Sequence, residues 1–345
     1  CPCALVVSIP LGFFGGIGAA SRNGILVKGS NYLEALNDVK YVVFDKTGTL
    51  TKGAFNVVQI VPSENFNEED LLKTAAYAEK MSNHPIALSI QEKYKGVIDM
   101  SVINEYTEIA GHGISVMITN ESVLAGNNKL MQKYGIQFDE PNEIGTIVHL
   151  AKNNHYMGYL VIADELKEDS KKAISALRQL GIKKSMMLTG DAKSVADSIA
   201  EELKLDDVFA ELLPHNKVEK FELIEKQKQQ KEKTIFVGDG INDAPVLARA
   251  DVGIAMGGLG SDAAIEAADI VIMTDEPSKI ADAINIAKRT RKIVWQNILF
   301  ALLVKGFFLL LGLFGIATMW EAVISDVGVT VLAVLNSMRV LRIKL

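Results

Sequence analysis

Apolar residues gather into three long runs in this chain, at positions 1–20, about 293–318 and about 320–341. Each of the last two comes close to the ~20 residues that a membrane-spanning helix needs. The turn between them, at about 315–320, is short, so the pair is expected to form a helical hairpin. Basic residues mark the ends. Arg22 and Lys28 follow the first run, Arg289, Arg291 and Lys292 precede the second, and Arg339, Arg342 and Lys344 close the third. Such flanks stay on the cytoplasmic side of a bilayer. The stretch 22–292 therefore reads as one cytoplasmic insert between helices of an integral membrane protein, placed in the plasma membrane. Core helices of a soluble protein need neither such length nor such flanks.

Inside the insert the period changes. Short apolar strands at 39–45, 186–189, 234–237, 252–255 and 270–273 alternate with helical patterns at 168–180, 194–203 and 216–229. That alternation predicts an α/β fold with a doubly wound parallel sheet and functional residues at the carboxyl ends of its strands. The stretch 54–161 breaks the rhythm. Helical patterns at 68–80 and 85–94 precede strand candidates at 114–119 and 146–152, which reads as a separate inserted α+β domain. The expected organisation is a first membrane helix at 1–21, a sheet domain at 22–53 and 162–292, the inserted domain at 54–161, and a helical hairpin with tail at 293–345.

Composition adds little. The net charge of −6 leaves no basic footprint for nucleic acid. The two cysteines, Cys1 and Cys3, flank Pro2. They are too close in sequence for an easy disulfide and are better placed as soft ligands aimed at one site. The chain starts at Cys1, inside an apolar run with no basic region before it. It reads as a fragment that begins within a hydrophobic segment, not as a signal peptide.

Three loops carry the chemistry. Asp45-Lys46-Thr47-Gly48-Thr49-Leu50-Thr51 follows the strand Val42-Val43-Phe44. A carboxylate at a strand end can attack a phosphoryl group, while loop N–H groups and Thr49 hold the transferred oxygens. Gly238-Asp239-Gly240-Ile241-Asn242-Asp243-Ala244-Pro245 places two carboxylates and a carboxamide on one tight turn, a donor set that suits Mg²⁺. Thr189-Gly190-Asp191 also ends a strand, and Lys217 opens a helix after Leu213-Pro214.

The heptapeptide from Asp45 is the signature of P-type ATPases, and the chain resembles that family along its whole length. The resemblance implies an aspartyl-phosphate intermediate on Asp45. It implies Mg²⁺ ligation by Asp45, the Thr47 carbonyl and Asp239, supported by Asn242 and Asp243. Thr189 would contact the phosphoryl group, with Gly190 and Asp191 as nearby support, and Lys217 would neutralise phosphate charge. Haloacid-dehalogenase-type phosphatases share this sheet and nucleophile but usually carry a second Asp where Thr47 stands. Losing that general acid–base group slows hydrolysis of the acyl phosphate, which suits a pump better than a phosphatase.

The inserted domain holds Ser82-Asn83-His84-Pro85 with Glu79 before it, then Gly111-His112-Gly113, then Gly126-Asn127. The ordered set resembles the adenine site of the heavy-metal branch of the family, although Asn83 stands where Glu is common. The resemblance implies that His84 meets the adenine ring and Glu79 its amino group. Gly111, Gly113, Gly126 and Asn127 would let the backbone approach ATP. No Walker-type loop is apparent.

Cys1-Pro2-Cys3 marks transition-metal pumps in this family. Lys305 and Asp326 lie inside the second and third apolar runs, each 13 residues from Lys292 or Arg339, which is roughly 20 Å of helix. Opposite charges at equal depth are costly unless paired or functional. Cys1, Cys3 and Asp326 form a thiolate–carboxylate set for zinc, cadmium or lead, with Lys305 as internal counter-charge. This resembles the zinc/cadmium/lead-exporting subgroup rather than the monovalent-copper pumps, which place Asn, Tyr, Met and Ser in these helices. The family's actuator domain and earlier helices normally precede such a segment. Without that N-terminal part, the bilayer, ATP and metal ions alone are not expected to give transport. A membrane-tethered phosphatase and a non-turning nucleotide-binding remnant are the competing readings; the first is opposed by Thr47, the second by intact Asp45, Asp239 and Lys217.

Overall fold

The computed structural model describes residues 3–141, 143, 145–239, 243–257, 262–315 and 318–342. The chain divides into two compact units. One comprises Cys1–Leu50 with Lys167–Leu345, and the other is Thr51–Leu166.

The first unit is organised by a seven-stranded sheet. Its strands, in spatial order, are β1 (Ile25–Val27), β13 (Ile270–Ile272), β12 (Val252–Met256), β11 (Lys233–Gly238), β2 (Val39–Asp45), β9 (Lys184–Leu188) and β10 (Asp207–Phe209). All neighbours are parallel except β1, which caps one edge antiparallel to β13. The doubly wound parallel sheet expected from the sequence is thus present. Val42, Val43 and Phe44 of β2 are fully buried, as a strand covered on both faces requires. The crossovers are helical: α6 (Ser170–Gln179), α7 (Lys193–Leu203), α8 (Pro214–Glu225), and the short α9 (Ala244–Leu247) and α10 (Asp262–Ala267). Phe221 of α8 meets Phe236 of β11 edge-on, with ring centres 5.8 Å apart, inside the core that includes Val43, Met186 and Val271. β1 and β10 escape the sequence reading because three residues carry no period.

Three helices among the described residues are long and apolar enough to cross a membrane. They are α1 (Cys3–Arg22), α11 (Lys279–Leu313) and α12 (Met319–Met338); the short α2 (Ser30–Ala35) follows β1. Leu302, Leu303, Phe307 and Leu310 of α11 face outward, as lipid-facing side chains do. The sequence places the start of α11 near 293. Instead one unbroken helix of 35 residues begins at Lys279, because Ile280, Ile284 and Ala287 extend its buried stripe ahead of the apolar run. The three helices interlock near one level. Asn297 donates to Ala333 O at 3.1 Å and to Ser337 Oγ at 2.8 Å, and Ser337 Oγ donates to Ser8 O at 3.0 Å.

The second unit is a six-stranded antiparallel sheet in the order β3 (Thr51–Pro62), β8 (His155–Leu166), β7 (Thr146–Lys152), β6 (Glu121–Gly126), β5 (Gly113–Ile118) and β4 (Ile103–Ile109). Helices α3 (Glu68–Ala78) and α4 (Pro85–Lys93) pack through Leu71, Ala75 and Ile90 on Val57, Ile114, Val148 and Leu160. The helix α5 (Asn128–Lys133) contributes Leu130 and Met131 to a smaller cluster with Leu124 and Ala151. β3 carries little signal in sequence because only Thr51 and Val57 along it are buried.

A core of its own is what independent folding requires. Residues 51–166 alone should unfold in one cooperative transition. Leu71→Ala, at a fully buried position, should lower that stability by about 2–5 kcal/mol, as read from urea titrations followed by circular dichroism.

Candidate functional site

β2 is the strand on either side of which the winding of the sheet diverges, with β9 beside it on one flank and β11 on the other. In α/β sheets ligands bind at the carboxyl ends around such a switch point. There the ends of β2, β11 and β9 bring Asp45, Asp239 and Thr189 into one region. The loop after β2 turns tightly. Thr47 (φ −71°, ψ 131°) and Gly48 (φ 70°, ψ −14°) have the dihedrals of a type II turn. Gly48 takes the position that needs positive φ, and a Cβ there would collide with the Asp239 carboxylate. The glycine therefore serves both the turn and the close approach of Asp239.

Asp45, Asp239 and Asp243 offer oxygens that all lie within 4.8 Å of one another. Lys217 Nζ donates to Asp45 Oδ1 at 2.5 Å and to Asp243 Oδ1 at 3.0 Å. Asp45, Asp243 and Lys217 are buried. Burial, then the neighbouring Asp243, pushes the Asp45 carboxyl well above its usual range, against the pull of Lys217. Burial and Asp243 likewise push Asp239 up to about 6. Burial works to lower the Lys217 ammonium, but Asp45 and Asp243 prevail and raise it. The buried Thr49 hydroxyl has no hydrogen-bond partner among the described residues. Three crowded carboxylates beside an orphaned hydroxyl fit a hard divalent cation and a phosphoryl oxygen.

Thr47 itself is exposed. Thr189 is buried, and its Oγ1 accepts from the Asp191 N–H at 3.1 Å. Gly190 lies between them, and Asp191 pairs with Lys46 at 2.6 Å. Asn242 falls outside the described residues. Sequence reasoning passed over Lys167, which directly follows β8 and is only 5 % exposed. It donates to the Gly48 carbonyl at 2.5 Å.

In the second unit, a cavity of about 370 Å³ is lined by Glu79, His84, Gly111, Gly113, Gly126 and Asn127. These are the six residues singled out from sequence, and the fold brings all of them together. His84 caps α4, its Nδ1 accepting from the Ile86 N–H at 3.3 Å, which leaves the proton on Nε2. Gly113 and Gly126 stand opposite each other on β5 and β6, and a Cβ on either would strike the backbone of the other strand. Asn127 clamps the glycine turn. Its side chain donates to Gly111 O at 2.9 Å and its N–H to His112 O at 2.8 Å. The cavity also holds Glu108, which no motif marked; it pairs across the sheet with buried Ile114. Burial, then Glu108, pushes Glu79 up to about 7.

In the membrane helices, Lys305 Nζ lies 3.0 Å from Asp326 Oδ1. Ala4 of α1 packs with Ala301 and Val329, and Leu5 and Val304 join them. The backbone of Cys3 thus adjoins the level of the pair. Cys1 and the Cys3 side chain fall outside the described residues.

The Glu79 shift gives a test. The folded unit holds that proton more tightly than the unfolded chain, so between about pH 4.5 and 7 the folded state binds more protons. Stability should therefore fall as pH rises through this window, by on the order of 3 kcal/mol, and level off above it. Urea titrations of residues 51–166 at pH 5 and pH 8 should show the fall, and Glu79→Gln should flatten it.

Comparison with known proteins accords with this geometry. Residues 39–251 match the haloacid dehalogenase-like hydrolase family. Over 345 residues the chain is 63 % identical to the cadmium, zinc and cobalt-transporting ATPase of Bacillus subtilis (strain 168), covering 100 % of this chain and 49 % of that one. It is 56 % identical over 340 residues to the zinc-transporting ATPase of Synechocystis sp. (strain PCC 6803), covering 99 % of this chain and 47 % of that one. The chain spans about half the length of these curated relatives. A crystal structure of a zinc-transporting PIB-type ATPase in its E2.Pi state superposes with a TM-score of 0.89 at 36 % identity, over 99 % of this chain and 56 % of that one. The chain belongs to the haloacid dehalogenase-like hydrolases.

Proposed function

We propose that this chain forms the catalytic and membrane-hairpin part of a pump that exports zinc, cadmium or a similar soft divalent cation, driven by ATP. The observation that supports it most is the Asp45–Lys217–Asp243 cluster beside Asp239, in a chain that also pairs Lys305 with Asp326 between membrane-length helices. The relatives named above carry cadmium, zinc and cobalt in their names. The domain at 54–161 binds ATP, and the sheet domain receives its phosphate. Both lie on the cytoplasmic side of a plasma membrane.

In the transfer, an Asp45 oxygen attacks the γ-phosphorus. That O–P bond forms as the bond to the β,γ-bridging oxygen breaks, and ADP leaves with the electron pair. Asp45 must be ionised to attack, and Lys217 stabilises that ionised form. After transfer the same ammonium is within reach of the new phosphoryl oxygens, as is the Thr49 hydroxyl. Asp45, Asp239 and the Thr47 carbonyl would hold Mg²⁺, with Asn242 and Asp243 in support; bound there it supplies charge neutralisation to the phosphoryl oxygens. Thr47 brings no carboxylate to activate water, so the acyl phosphate persists long enough for ion movement. In the membrane, Cys1, Cys3 and Asp326 ligate the cargo ion, and Lys305 takes Asp326 back when the ion leaves.

Two outcomes test this reading in the intact protein in membrane vesicles. Radiolabelled ATP should label the wild type through an acid-stable, hydroxylamine-labile bond, and Asp45→Asn should take up no label; equal labelling of both removes Asp45 as acceptor. Zinc, cadmium and lead should stimulate ATP hydrolysis and monovalent copper should not. Asp326→Ala should abolish that stimulation while ATP binding stays intact. Stimulation by copper(I), or an unaffected Asp326→Ala protein, overturns the ion assignment.

A further inference from the structure

Lys167 belongs to none of the loops that carry the chemistry, yet its ammonium is buried against one of them. It donates to the Gly48 carbonyl at 2.5 Å and to Asp275 Oδ1 at 2.6 Å. Its side chain is 5 % exposed and that of Asp275 is 43 % exposed. The cation is thus braced from the solvent side and pressed on the loop from the other. Two further bonds grip the same turn. The Lys167 N–H donates to Leu50 O at 3.0 Å, and Ser170 Oγ donates to that oxygen at 2.7 Å.

The peptide so held joins two residues that face the phosphoryl site. On one side is Gly48, whose bare Cα gives the Asp239 carboxylate its place. On the other is Thr49, whose buried hydroxyl has no hydrogen-bond partner among the described residues. A peptide group is planar, so fixing the Gly48 carbonyl fixes the plane in which Gly48 Cα and Thr49 Cα both lie. Glycine with positive φ has many other conformations open to it; a charge-assisted bond to its carbonyl is a strong way to select one.

We propose that Lys167, braced by Asp275, is a positioning residue for phosphoryl transfer, fixing the Gly48–Thr49 peptide and with it the place of Asp239 and the Thr49 hydroxyl. This rests on the reading of Asp45 as phosphoryl acceptor.

The test compares wild type, Lys167→Met, Lys167→Arg and Asp275→Asn in the intact protein. Phosphoenzyme formation from saturating radiolabelled ATP is timed, and hydrogen–deuterium exchange is followed over residues 46–50. Lys167→Met should slow phosphorylation by on the order of a hundredfold, the effect of displacing a reacting group by about an ångström, with ATP affinity unchanged. Lys167→Arg should restore a large part of the rate, since a guanidinium can also reach both acceptors. Asp275→Asn should give a smaller slowing in the same direction. Exchange over 46–50 should speed up in Lys167→Met and Asp275→Asn. Wild-type rates and exchange in both variants overturn the inference, as does a slowing accounted for by ATP affinity or one that Lys167→Arg leaves unrelieved. If Lys167→Met does not fold, Asp275→Asn decides, because its open side chain leaves no buried hole. If the wild type takes no label, the acceptor reading fails, and the exchange measurement still decides whether Lys167 holds the loop.

Discussion

The Lys217 ammonium between Asp45 and Asp243 is the contact on which the catalytic unit depends. Three carboxylates lie within 4.8 Å of one another. At an effective dielectric of about 20, each pair so spaced repels by roughly 3–4 kcal/mol. One ammonium at 2.5–3.0 Å from two of them offsets much of that, but it brings one positive charge against three negative ones. Burial first, and then the repulsion from Asp243, drives Asp45 and Asp239 toward the protonated form. The remaining imbalance is why a divalent cation is the natural complement of the cluster: it supplies the charge that protons otherwise supply, without blocking the nucleophile.

The fold makes this crowding possible by removing side chains. Gly48 has no Cβ where Asp239 stands, and a Cβ on Gly238 would come within 2.8 Å of an Asp243 oxygen. The carboxylates approach backbone instead of side chains, on loops that leave neighbouring parallel strands at the switch point of the sheet. The nucleotide cavity uses the same device. Gly113 and Gly126 face each other across β5 and β6, and the strands close to a distance that no Cβ permits.

The sequence revealed the parts of the protein whose physics is local. β2 is a run of apolar residues ending in Asp45, and the cavity residues Glu79, His84, Gly111, Gly113, Gly126 and Asn127 recur in motif order; both were legible before any coordinates. The two long strands β3 and β8 were not, because their burial alternates too weakly to leave a period. Lys167, Glu108 and Asp275 were not legible for a different reason. Each is an ordinary charged residue in a helix-start, edge-strand or loop context, and only long-range pairing gives it a role. Gly48 meets Lys167 across 119 residues of chain. The start of α11 was misplaced because the sequence shows where apolarity rises, near 293, and not where the helix begins.

That continuous helix joins two regions of similar electrostatics. Near its start, Lys167 meets Asp275, and Asp169 accepts from the Ser278 N–H at 2.6 Å. Some four turns past the basic cluster at 289–292, Lys305 of the same helix meets Asp326. Lys217 likewise lies between two aspartates, at the carboxyl ends of the sheet strands. On the proposed reading, a cargo ion that reaches Asp326 displaces Lys305 from it instead of entering an empty anionic site. That keeps the membrane pair poised. Binding there exchanges one counter-charge for another, and the displaced Lys305 stays tethered close by to reclaim Asp326 when the ion departs.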